Sequence, residues 1–423
     1  MRFEELNIIE PILRALKEQE YTEPTLIQEK AIPVVLDGKD VLGSAQTGTG
    51  KTAAFAIPIL QHLYNKRQEH NKSRNIKTLI ITPTRELAIQ IGESFSTYGK
   101  YTGIRNTVIF GGVKQAPQTN ALRHGVDVLV ATPGRLLDLM DQGYVRLNNI
   151  EYFVLDEADR MLDMGFIHDI RKIIAKLPYK RQSLFFSATM PGNIVELSRK
   201  ILQNPVKIEA TPAATTAETI QQYLYYTNKS TKKDLLEYIL NDQQISQVLL
   251  FSKTKHGADK ITRNLIHHKI KAAAIHGDKG QNQRQKVLQQ FKDGEIRVLV
   301  ATDIAARGID IDKLKYVINY DIPNISETYV HRIGRAGRAG EEGISISICE
   351  PEENGFVKDI EKLINQKIEI VDKNPFPQTE RPMTKNEKAE VEKEKLIRKK
   401  EFFANRNNKA VHTKSFNFSR RGR

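Results

Sequence analysis

Short apolar runs alternate with longer helical patterns along most of this chain, and no other feature of the sequence restricts its fold as strongly. The runs are rich in β-branched residues and form two series, which we interpret as strands at 40–43, 78–81, 127–131, 152–155 and 183–186, then at 248–251, 272–275, 297–301, 316–319 and 344–348. Strands that alternate with helices indicate βαβ units, in which helices cover both faces of a parallel sheet. The sequence therefore predicts an α/β fold.

A segment rich in Thr and Ala that contains Pro212 separates the two series, and we interpret residues 210–219 as a linker. The chain has 423 residues, which is more than one hydrophobic core usually organises. Both observations predict two tandem parallel-sheet domains, at 1–209 and 220–372, followed by a tail at 373–423. Ligands of such sheets bind at the carboxyl ends of the strands.

Much of the excess positive charge lies in the tail. The whole chain carries 65 Lys and Arg against 51 Asp and Glu, a net charge of +14. Residues 381–423 alone hold 14 basic and 5 acidic residues, a net charge of +9, with Phe416 and Phe418 among the basic residues. We expect a tail that is disordered when free and an anionic partner such as nucleic acid.

The cysteine content and the amino-terminal residues restrict the location of the protein. Cys349 is the only cysteine, which excludes an internal disulfide framework and a multi-cysteine zinc cluster and fits a reducing compartment. The longest apolar runs, such as 53–60, are far shorter than the roughly 18 residues of a membrane span. Glu4, Glu5 and Glu10 lie among the first apolar residues with no basic region before them, unlike a secretory signal. We therefore expect a cytoplasmic protein without a membrane partner.

Residues 45–52 read AQTGTGKT and lie between a predicted strand and a predicted helix, the context in which a phosphate-binding P-loop is expected. Gly48 and Gly50 permit backbone angles that turn successive N–H groups towards phosphates. Lys51 would reach the β- and γ-phosphates, and Thr52 would ligate Mg²⁺. Because the first position is Ala rather than Gly, a glycine turn with a capping threonine stays open as an alternative.

A run of acidic residues follows the predicted strand at 152–155. A carboxylate at a strand tip that faces a P-loop can hold magnesium, and the next carboxylate can activate the attacking water. We therefore assign Asp156 to the metal and Glu157 to the role of general base. A solvated helix start is the alternative for such a run taken alone, and the P-loop earlier in the chain argues against it.

Gln28 indicates which nucleotide the P-loop binds. A glutamine amide offers a donor and an acceptor, which match N6 and N7 of adenine, whereas guanine presents two acceptors on that edge. Adenine, and therefore ATP, is favoured. Phe3 and Tyr21 are candidates for stacking on the base, and a place in the hydrophobic core is an equally good interpretation of an isolated aromatic residue.

With AQTGTGKT, DEAD at 156–159 and SAT at 187–189 in this order, the chain resembles the DEAD-box RNA helicases of superfamily 2. The DEADRMLDMGF run is most similar to the bacterial RhlE-like branch of that family. Glu20 is a departure, because the family generally carries Gly at this position. The similarity covers about residues 3–350 and continues through PTREL at 83–87, Gly111 and Gly112, TPGR at 132–135, ATDIAARGID at 301–310 and HRIGRAGR at 331–338.

The resemblance implies two RecA-like domains that close on ATP, Mg²⁺ and single-stranded RNA. Arg335 and Arg338 resemble the arginine fingers of the family, whose guanidinium groups stabilise charge on the transferring phosphoryl group. Asp310 would bind the ribose, and His331 would connect to Asp159 or its neighbours across the cleft. Without the family, a glycine turn with solvated arginines is the alternative for GRAGR. The other ATP-binding positions are Thr25, Gln28, Ala45, Gln46, Thr47, Gly48, Thr49, Gly50, Lys51 and Thr52.

The resemblance also implies an RNA surface. Its hydroxyl, guanidinium and glycine N–H groups suit the sugar-phosphate backbone rather than base edges, so we expect little sequence preference. Preference for RNA over DNA would come from 2′-hydroxyl contacts, which the family implies. Ser187 and Thr189, with Asp159, would couple hydrolysis to strand separation, and a plain turn is the alternative. The implied RNA contacts are Thr84, Arg85, Gly112, Thr132 and Arg135 in the first domain and Thr302 and Arg307 in the second.

These features predict an RNA-stimulated ATPase that unwinds short RNA duplexes locally, without processive movement, and remodels RNA–protein complexes. Closure on ATP would hold one strand in a conformation with which its partner cannot pair, and hydrolysis would reopen the domains. A nucleotide-gated RNA clamp and a superfamily 2 DNA translocase are the alternatives. We expect the basic tail to tether structured RNA, such as ribosomal RNA; a tail that only increases solubility is the alternative.

Overall fold

A computed structural model of the chain describes residues 1–45, 48–69, 75–210, 220–306, 314–337, 343–384 and 387. Within these residues the chain forms two α/β domains, each built on a seven-stranded sheet. The strand pairs in both sheets are parallel. The predicted α/β fold with two tandem parallel-sheet domains is confirmed.

The first domain orders its sheet β3-β4-β2-β5-β6-β1-β7. A short 3₁₀ helix at Phe3–Leu6 precedes the first α-helix. The strands are β1 (Val41–Ala45), β2 (Thr78–Ile81), β3 (Asn106–Ile109), β4 (Val128–Ala131), β5 (Tyr152–Leu155), β6 (Gln182–Ser187) and β7 (Val206–Ala210). The helices are α1 (Glu10–Glu18), α2 (Leu26–Leu36), α3 (Lys51–Glu69), α4 (Arg85–Tyr98), α5 (Ala116–Arg123), α6 (Pro133–Asp141), α7 (Ala158–Asp163), α8 (Ile167–Ile174) and α9 (Gly192–Ile201).

The second domain orders its sheet β10-β11-β9-β12-β13-β8-β14. The strands are β8 (Ile220–Tyr226), β9 (Val248–Phe251), β10 (Ala272–Ile275), β11 (Val298–Ala301), β12 (Tyr316–Asn319), β13 (Gly343–Cys349) and β14 (Glu369–Ile370). The α-helices are α10 (Lys232–Leu240), α11 (Lys255–His267), α12 (Gln281–Lys292), α13 (Asp303–Ala306), α14 (Ser326–Ile333) and α15 (Asn354–Ile364), with a 3₁₀ helix at Pro351–Glu353. Among the described helices, none combines the length and apolar character needed to cross a bilayer.

The central strands are buried on both faces, and their sequences reflect it. β2, β4 and β5 read TLII, VLVA and YFVL, and every residue in them is buried. Such continuous apolar runs are typical of parallel strands that helices cover on both sides. Ile80 and Val154 pack into the core on one face of the first sheet, and Leu79 and Phe153 pack into the core on the other.

Each of the ten predicted strands is present, and the described residues form four further strands that the sequence pattern did not indicate. The missed strands carry weaker signals because they lie at or near sheet edges. β3 reads NTVI and is only partly buried, and β14 consists of two exposed residues. β8 reads IQQYLYY, in which buried positions alternate with more exposed ones over its first five residues, as in a strand with one covered face. β7 reads VKIEA and forms an edge beside β1.

Strand ends locate the junctions between the domains. β7 ends at Ala210 and β8 begins at Ile220, so the predicted linker, apart from Ala210, lies outside the described residues. At the other junction, residues 373–384, which we call the docked segment, pack on the second domain. The Thr227 hydroxyl donates to the carbonyl oxygen of Phe376 at 2.7 Å. The predicted start of the tail after residue 372 therefore falls at the beginning of a packed segment.

Helix α1 ends in a Schellman motif in which Glu20 takes the position that usually holds glycine. The N–H of Tyr21 donates to the carbonyl oxygen of Leu16 at 3.0 Å, and the N–H of Glu20 donates to that of Lys17 at 3.1 Å. Glu20 has a φ of 57°, a left-handed conformation that costs an L-residue roughly 1–2 kcal/mol. The departure from the family pattern at Glu20 therefore strains the turn and leaves its hydrogen bonds intact.

Replacing Glu20 with glycine should stabilise the protein. Glycine adopts the left-handed conformation without steric cost, and this relief exceeds the entropy that glycine adds to the unfolded chain, so the free energy of unfolding should rise by about 1 kcal/mol. Glu20→Ala is the control, because alanine keeps the Cβ atom. Thermal and urea denaturation measure the change, and equal midpoints for the glycine and alanine variants would contradict the proposed strain.

Candidate active site

The carboxyl edge of the first sheet collects three of the sequence motifs. Strands β5, β6 and β1 are neighbours in the sheet. The loop at 45–52 follows β1, the DEAD motif follows β5, and the SAT motif begins on the last residue of β6. Because loops that follow parallel strands emerge at the same edge, motifs that are far apart in sequence line one cleft.

Two glycines shape the loop after β1. Gly48 and Gly50 have φ angles of 85° and 91°, in the region that favours glycine. A Cβ atom on Gly50 would lie 2.4 Å from Nε2 of Gln28 and 2.8 Å from Oγ1 of Thr25. A larger residue at this position would therefore displace the start of α2. Gln46 and Thr47, which the sequence also assigns to this loop, lie outside the described residues.

Thr25 and Gln28 connect the start of α2 to the P-loop. The side-chain Oε1 of Gln28 accepts from the backbone N–H of Thr25 at 2.9 Å, and Nε2 of Gln28 donates to the backbone carbonyl oxygen of Gly50 at 3.2 Å. The Thr25 hydroxyl donates to the carbonyl oxygen of Thr49 at 2.8 Å. An amide oxygen can accept two hydrogen bonds and an amide NH₂ group can donate two, so Gln28 retains the capacity to bind an adenine.

The two aromatic candidates differ in accessibility. Phe3 is 2% exposed and belongs to the core of the first domain, the alternative that the sequence leaves open for it. Tyr21 is 43% exposed and stacks on Phe3 with the ring centroids 6.5 Å apart. Of these two residues, only Tyr21 presents an accessible ring for stacking on a base.

Lys51 and Asp156 form the charged centre of the cleft. Nζ of Lys51 donates to the carbonyl oxygen of Ala45 at 2.8 Å and lies 4.0 Å from Oδ1 of Asp156. Burial raises the pKa of Asp156 to about 6, and the positive charge of Lys51 opposes this shift. Oδ1 of Asp156 is buried and has no hydrogen-bond partner among the described residues. A buried carboxylate oxygen is thus available to a cation.

This set of donors fits Mg²⁺. Magnesium prefers oxygen ligands and is usually held by one or two protein groups together with substrate phosphates and water. Asp156 supplies the unpartnered carboxylate oxygen, and Thr52 supplies a hydroxyl in the first turn of α3. Among the described residues, no three His, Cys, Asp or Glu side chains form a metal cluster, and a cation held mainly by phosphates and water does not require one.

Glu157 pairs with a residue to which the sequence analysis gives no role. Its φ and ψ of 57° and 50° bend the chain sharply between β5 and α7. Nη1 of Arg160 lies 2.9 Å from each carboxylate oxygen of Glu157, and both side chains are buried. The signal in the sequence was a basic residue three positions after an acid, a spacing that brings the two together on a helix.

Hydrogen bonds join the DEAD and SAT motifs. Oδ2 of Asp159 accepts from the N–H and the hydroxyl of Thr189, at 2.9 and 3.0 Å, and the N–H of Asp159 donates to Oγ of Ser187 at 3.2 Å. Burial alone would raise the pKa of Asp159, but the charges of Arg160 and Lys51 outweigh burial and hold this pKa below its usual range. The two motifs therefore form one hydrogen-bonded unit around an ionised carboxylate.

Helix α14 brings the second domain to the same cleft. His331 on this helix and Arg335 after it line a cavity together with Arg160 of the first domain. Burial and the charge of Arg160 lower the pKa of His331 to about 4, so the imidazole is neutral at pH 7. The other two second-domain candidates for the ATP site, Arg338 and Asp310, lie outside the described residues.

The threonines assigned to RNA each follow a strand at a carboxyl edge. Thr84 follows β2 and caps α4, where its hydroxyl oxygen accepts from the N–H of Leu87 at 3.3 Å. Thr132 follows β4 and precedes α6, and Thr302 follows β11 and precedes α13 in the second domain. In the first sheet, β3, β4 and β2 lie to one side of the ATP motifs, so the predicted RNA surface adjoins the cleft.

The arginines of the predicted RNA surface are packed in place. A Cβ atom on Gly112, whose φ is 79°, would lie 2.3 Å from Nη1 of Arg85, so this glycine allows the arginine to lie over it. Nε of Arg135 lies 3.5 Å from Asp138, and Nη1 of Arg135 is buried with no hydrogen-bond partner among the described residues. Arg307 lies outside the described residues.

A further contact between the domains has no counterpart in the sequence analysis. Oε1 of Glu86 accepts from Nε2 of Gln281 at 3.0 Å and pairs with Nη2 of Arg284 at 3.0 Å. Nη1 of Arg85 donates to Oε1 of Gln281 at 3.4 Å. Helix α4 of the first domain thereby binds α12 of the second. A glutamine and an arginine three positions apart are ordinary on a helix surface, so the local sequence gave no signal for this contact.

Comparison with protein families agrees with this geometry. The DEAD/DEAH box helicase family matches residues 25–197, and the helicase conserved C-terminal domain matches residues 231–340. The CshA RNA helicase of Limosilactobacillus reuteri is 42% identical over 363 residues, which cover 86% of this chain and 72% of that protein. RhpA of Helicobacter pylori is 41% identical over 368 residues, which cover 87% of this chain and 73% of that protein. The RhlE-like branch stays a prediction.

Solved structures show the same two-domain architecture. Dbp5 of S. cerevisiae bound to RNA and ADP BeF3 has a TM-score of 0.76 and 31% identity, covering 88% of this chain and 95% of that chain. Mss116p bound to ssRNA and AMP-PNP has a TM-score of 0.78 and 28% identity, covering 88% and 78%. These likenesses confirm the predicted pair of RecA-like domains. Together with the curated relatives, they establish that the chain belongs to the DEAD-box family of ATP-dependent RNA helicases.

Proposed function

We propose that this helicase hydrolyses ATP in an RNA-stimulated cycle, separates short duplexes locally without processive movement, and remodels RNA–protein complexes. The observation that supports this proposal most directly is the cavity that Arg160 of the first domain shares with His331 and Arg335 of the second. A reaction centre divided between two domains is complete only when they meet, so whatever closes the domains controls turnover.

In the proposed reaction each domain contributes groups that the other lacks. Lys51 contacts the β- and γ-phosphates, and Glu157, held in place by its ion pair with Arg160, accepts the proton of the attacking water. Arg335 and Arg338 stabilise the charge that develops on the transferring phosphoryl group. Gln28, Tyr21 and Asp310 bind the adenosine, and the rest of the P-loop at 45–52 binds the phosphates. Thr52 and Asp156 would hold Mg²⁺, which supplies neutralising charge to these phosphates.

Closure is proposed to join ATP hydrolysis to RNA binding. Thr84, Thr132, Thr302 and the arginines assigned to RNA bind the sugar-phosphate backbone of one strand across both domains. Asp159, through its hydrogen bonds to Ser187 and Thr189, couples the ATP site to the loop that follows β6. Because ATP and RNA both favour the closed state, each should increase the affinity of the other.

The tail is proposed to tether structured RNA, such as ribosomal RNA, beside the two domains. Residues 388–423 contain 12 Lys and Arg against 4 Glu, and the aromatic residues among them suit stacking on unpaired bases. A tether raises the concentration of RNA near the cleft. The cytoplasmic location stays a prediction from the sequence.

RNA should raise ATP turnover and lower the KM for ATP by roughly fivefold or more, the usual scale of such coupling. Steady-state ATPase assays with single-stranded RNA, with DNA of the same sequence and without nucleic acid measure this.

Glu157→Gln should reduce turnover at least about 100-fold, since the general base is lost, and should keep ATP-dependent RNA binding. Glu93→Gln, an exposed change on α4, is the control. Turnover independent of RNA would refute the proposed cycle, and equal stimulation by DNA would favour a DNA translocase.

Glu86→Gln should weaken closure without touching either ligand. The change removes the charge that pairs with Arg284, and charged hydrogen bonds of this kind contribute about 1.5–3 kcal/mol. The RNA concentration that gives half-maximal ATPase stimulation should rise roughly tenfold or more, whereas turnover without RNA should stay unchanged. Glu93→Gln on the same helix again serves as the control, and an unaltered RNA dependence would contradict a role for this contact in closure.

Truncation after residue 387 should leave saturated turnover unchanged and weaken RNA binding. In the complete chain, basic residues of the tail that contact phosphates release counterions from the RNA. Without these residues, the slope of log affinity against log salt should become shallower by about 0.7 for each lost phosphate contact. Fluorescence anisotropy at several salt concentrations measures both quantities. The same affinity and slope for the truncated and complete chains would reject tethering.

A further inference from the structure

A buried lysine lies in the second domain, apart from every residue assigned to ATP or RNA. Lys232 is the first residue of α10 and is 3% exposed. Its Nζ lies 2.9 Å from Glu353, 3.4 Å from Asp321 and 3.9 Å from Glu350. It also lies 5.1 Å from the centre of the Tyr320 ring. A single buried cation thus faces three carboxylates in this part of the described structure.

The lysine is charged at neutral pH. Burial alone would lower the pKa of Lys232, but the carboxylates of Glu353, Asp321 and Glu350 outweigh burial and raise this pKa above its usual value. Carboxylates that are withdrawn from water repel one another when no cation lies between them. The charge of Lys232 therefore allows Asp321 and Glu353 to lie side by side.

Asp321 connects this cluster to two other elements. Its Oδ2 accepts from the Ser252 hydroxyl at 3.0 Å and from the N–H of Lys253 at 2.7 Å, both in the loop that follows β9. Its carbonyl oxygen accepts from Nη1 of Arg332 at 2.6 Å. A displacement of Asp321 would therefore release the β9 loop and Arg332 together.

Arg332 fixes the helix that enters the cleft. It lies on α14 beside His331, is 2% exposed, and pairs with both carboxylate oxygens of Asp303, at 2.6 and 2.8 Å. His331 and Arg335 come from the same helix and the turn after it, and both line the cavity shared with the first domain. The placement of Arg335 thus depends on how firmly α14 is held against the carboxyl edge of the second sheet.

We propose that Lys232 is a positioning residue for ATP hydrolysis, which acts through Asp321 to hold Arg332 and α14 in the place that Arg335 requires. The inference rests on the proposed role of Arg335. Lys232 is not among the residues proposed to bind ATP or RNA. Its replacement should therefore leave ATP binding intact and slow ATP hydrolysis in the closed state. The expected signature is a lower kcat with an unchanged KM for ATP.

The first measurement compares Lys232→Met with Lys233→Met. Methionine keeps the length of the side chain and removes its charge, and Lys233 is the neighbouring lysine with an exposed side chain. Lys232→Met should lower RNA-stimulated kcat at least tenfold with the KM for ATP within twofold of the starting protein, and Lys233→Met should change neither. A wild-type kcat in a Lys232→Met protein that only melts earlier would show a purely structural role and overturn the proposal.

A double-mutant cycle tests whether Lys232 acts through Asp321. If it does, Lys232→Met combined with Asp321→Asn should lower kcat no more than the more damaging of the two single changes. Losses of kcat that multiply would show independent effects and overturn the proposal. The cycle is also run in a Glu353→Gln background, which removes one negative charge from the cluster and keeps Lys232→Met measurable if the single variant does not fold.

Arg335→Lys separates failure of this inference from failure of the proposed function. If Arg335→Lys abolishes RNA-stimulated turnover and Lys232→Met does not reduce it, the reaction scheme stands and the positioning role is wrong. If Arg335→Lys retains full turnover, the proposed role of Arg335 fails, and the positioning role that rests on it fails as well.

Discussion

Parallel pairing of the strands is the constraint on which the rest of the molecule depends. In the described part of both sheets the neighbouring strands run in the same direction, so the loops that follow them gather at one edge. The P-loop, the DEAD motif and the SAT motif share a cleft because β1, β6 and β5 are adjacent in the sheet. The P-loop is about 100 residues or more away in the chain from the other two motifs. The second sheet repeats this arrangement and presents α14 from its own carboxyl edge, so two copies of one architecture face each other with complementary sets of side chains.

Buried charge restricts how the side chains of the cleft can be arranged. Lys51 with Asp156 and Glu157 with Arg160 are charges withdrawn from water, and each is tolerable only while its partner is in place. His331 is neutral between the charges of Asp159 and Arg160, so it can enter the cleft without the cost of another buried cation. A site of this kind favours defined arrangements over intermediate ones, which suits the proposed cycle of closure and opening.

The sequence predicts the parts of this protein whose signals are local. Buried strands such as β2 and β9 read as uninterrupted apolar runs, and the P-loop glycines have the backbone angles that their pattern implies. Residues whose role depends on a partner far away in the chain escape such reasoning. Glu86 and Lys232 are ordinary charged residues in the sequence, and only the fold brings Glu86 to Arg284 or Lys232 to Glu353. β8 was missed for a related reason, because Ile220 and Leu224 on its covered face share a core with residues of α14 and α15, which are distant in the sequence.

The docked segment separates the packed second domain from the tail that follows it. Strand β14 pairs with β8 at the edge of the second sheet. Oδ1 of Asn228 then accepts hydrogen bonds from the backbone N–H groups of Thr379 and Glu380, so the docked segment is held against the second domain. We therefore expect the sequence that follows the docked segment to tolerate changes in length and composition without a change in the ATP site.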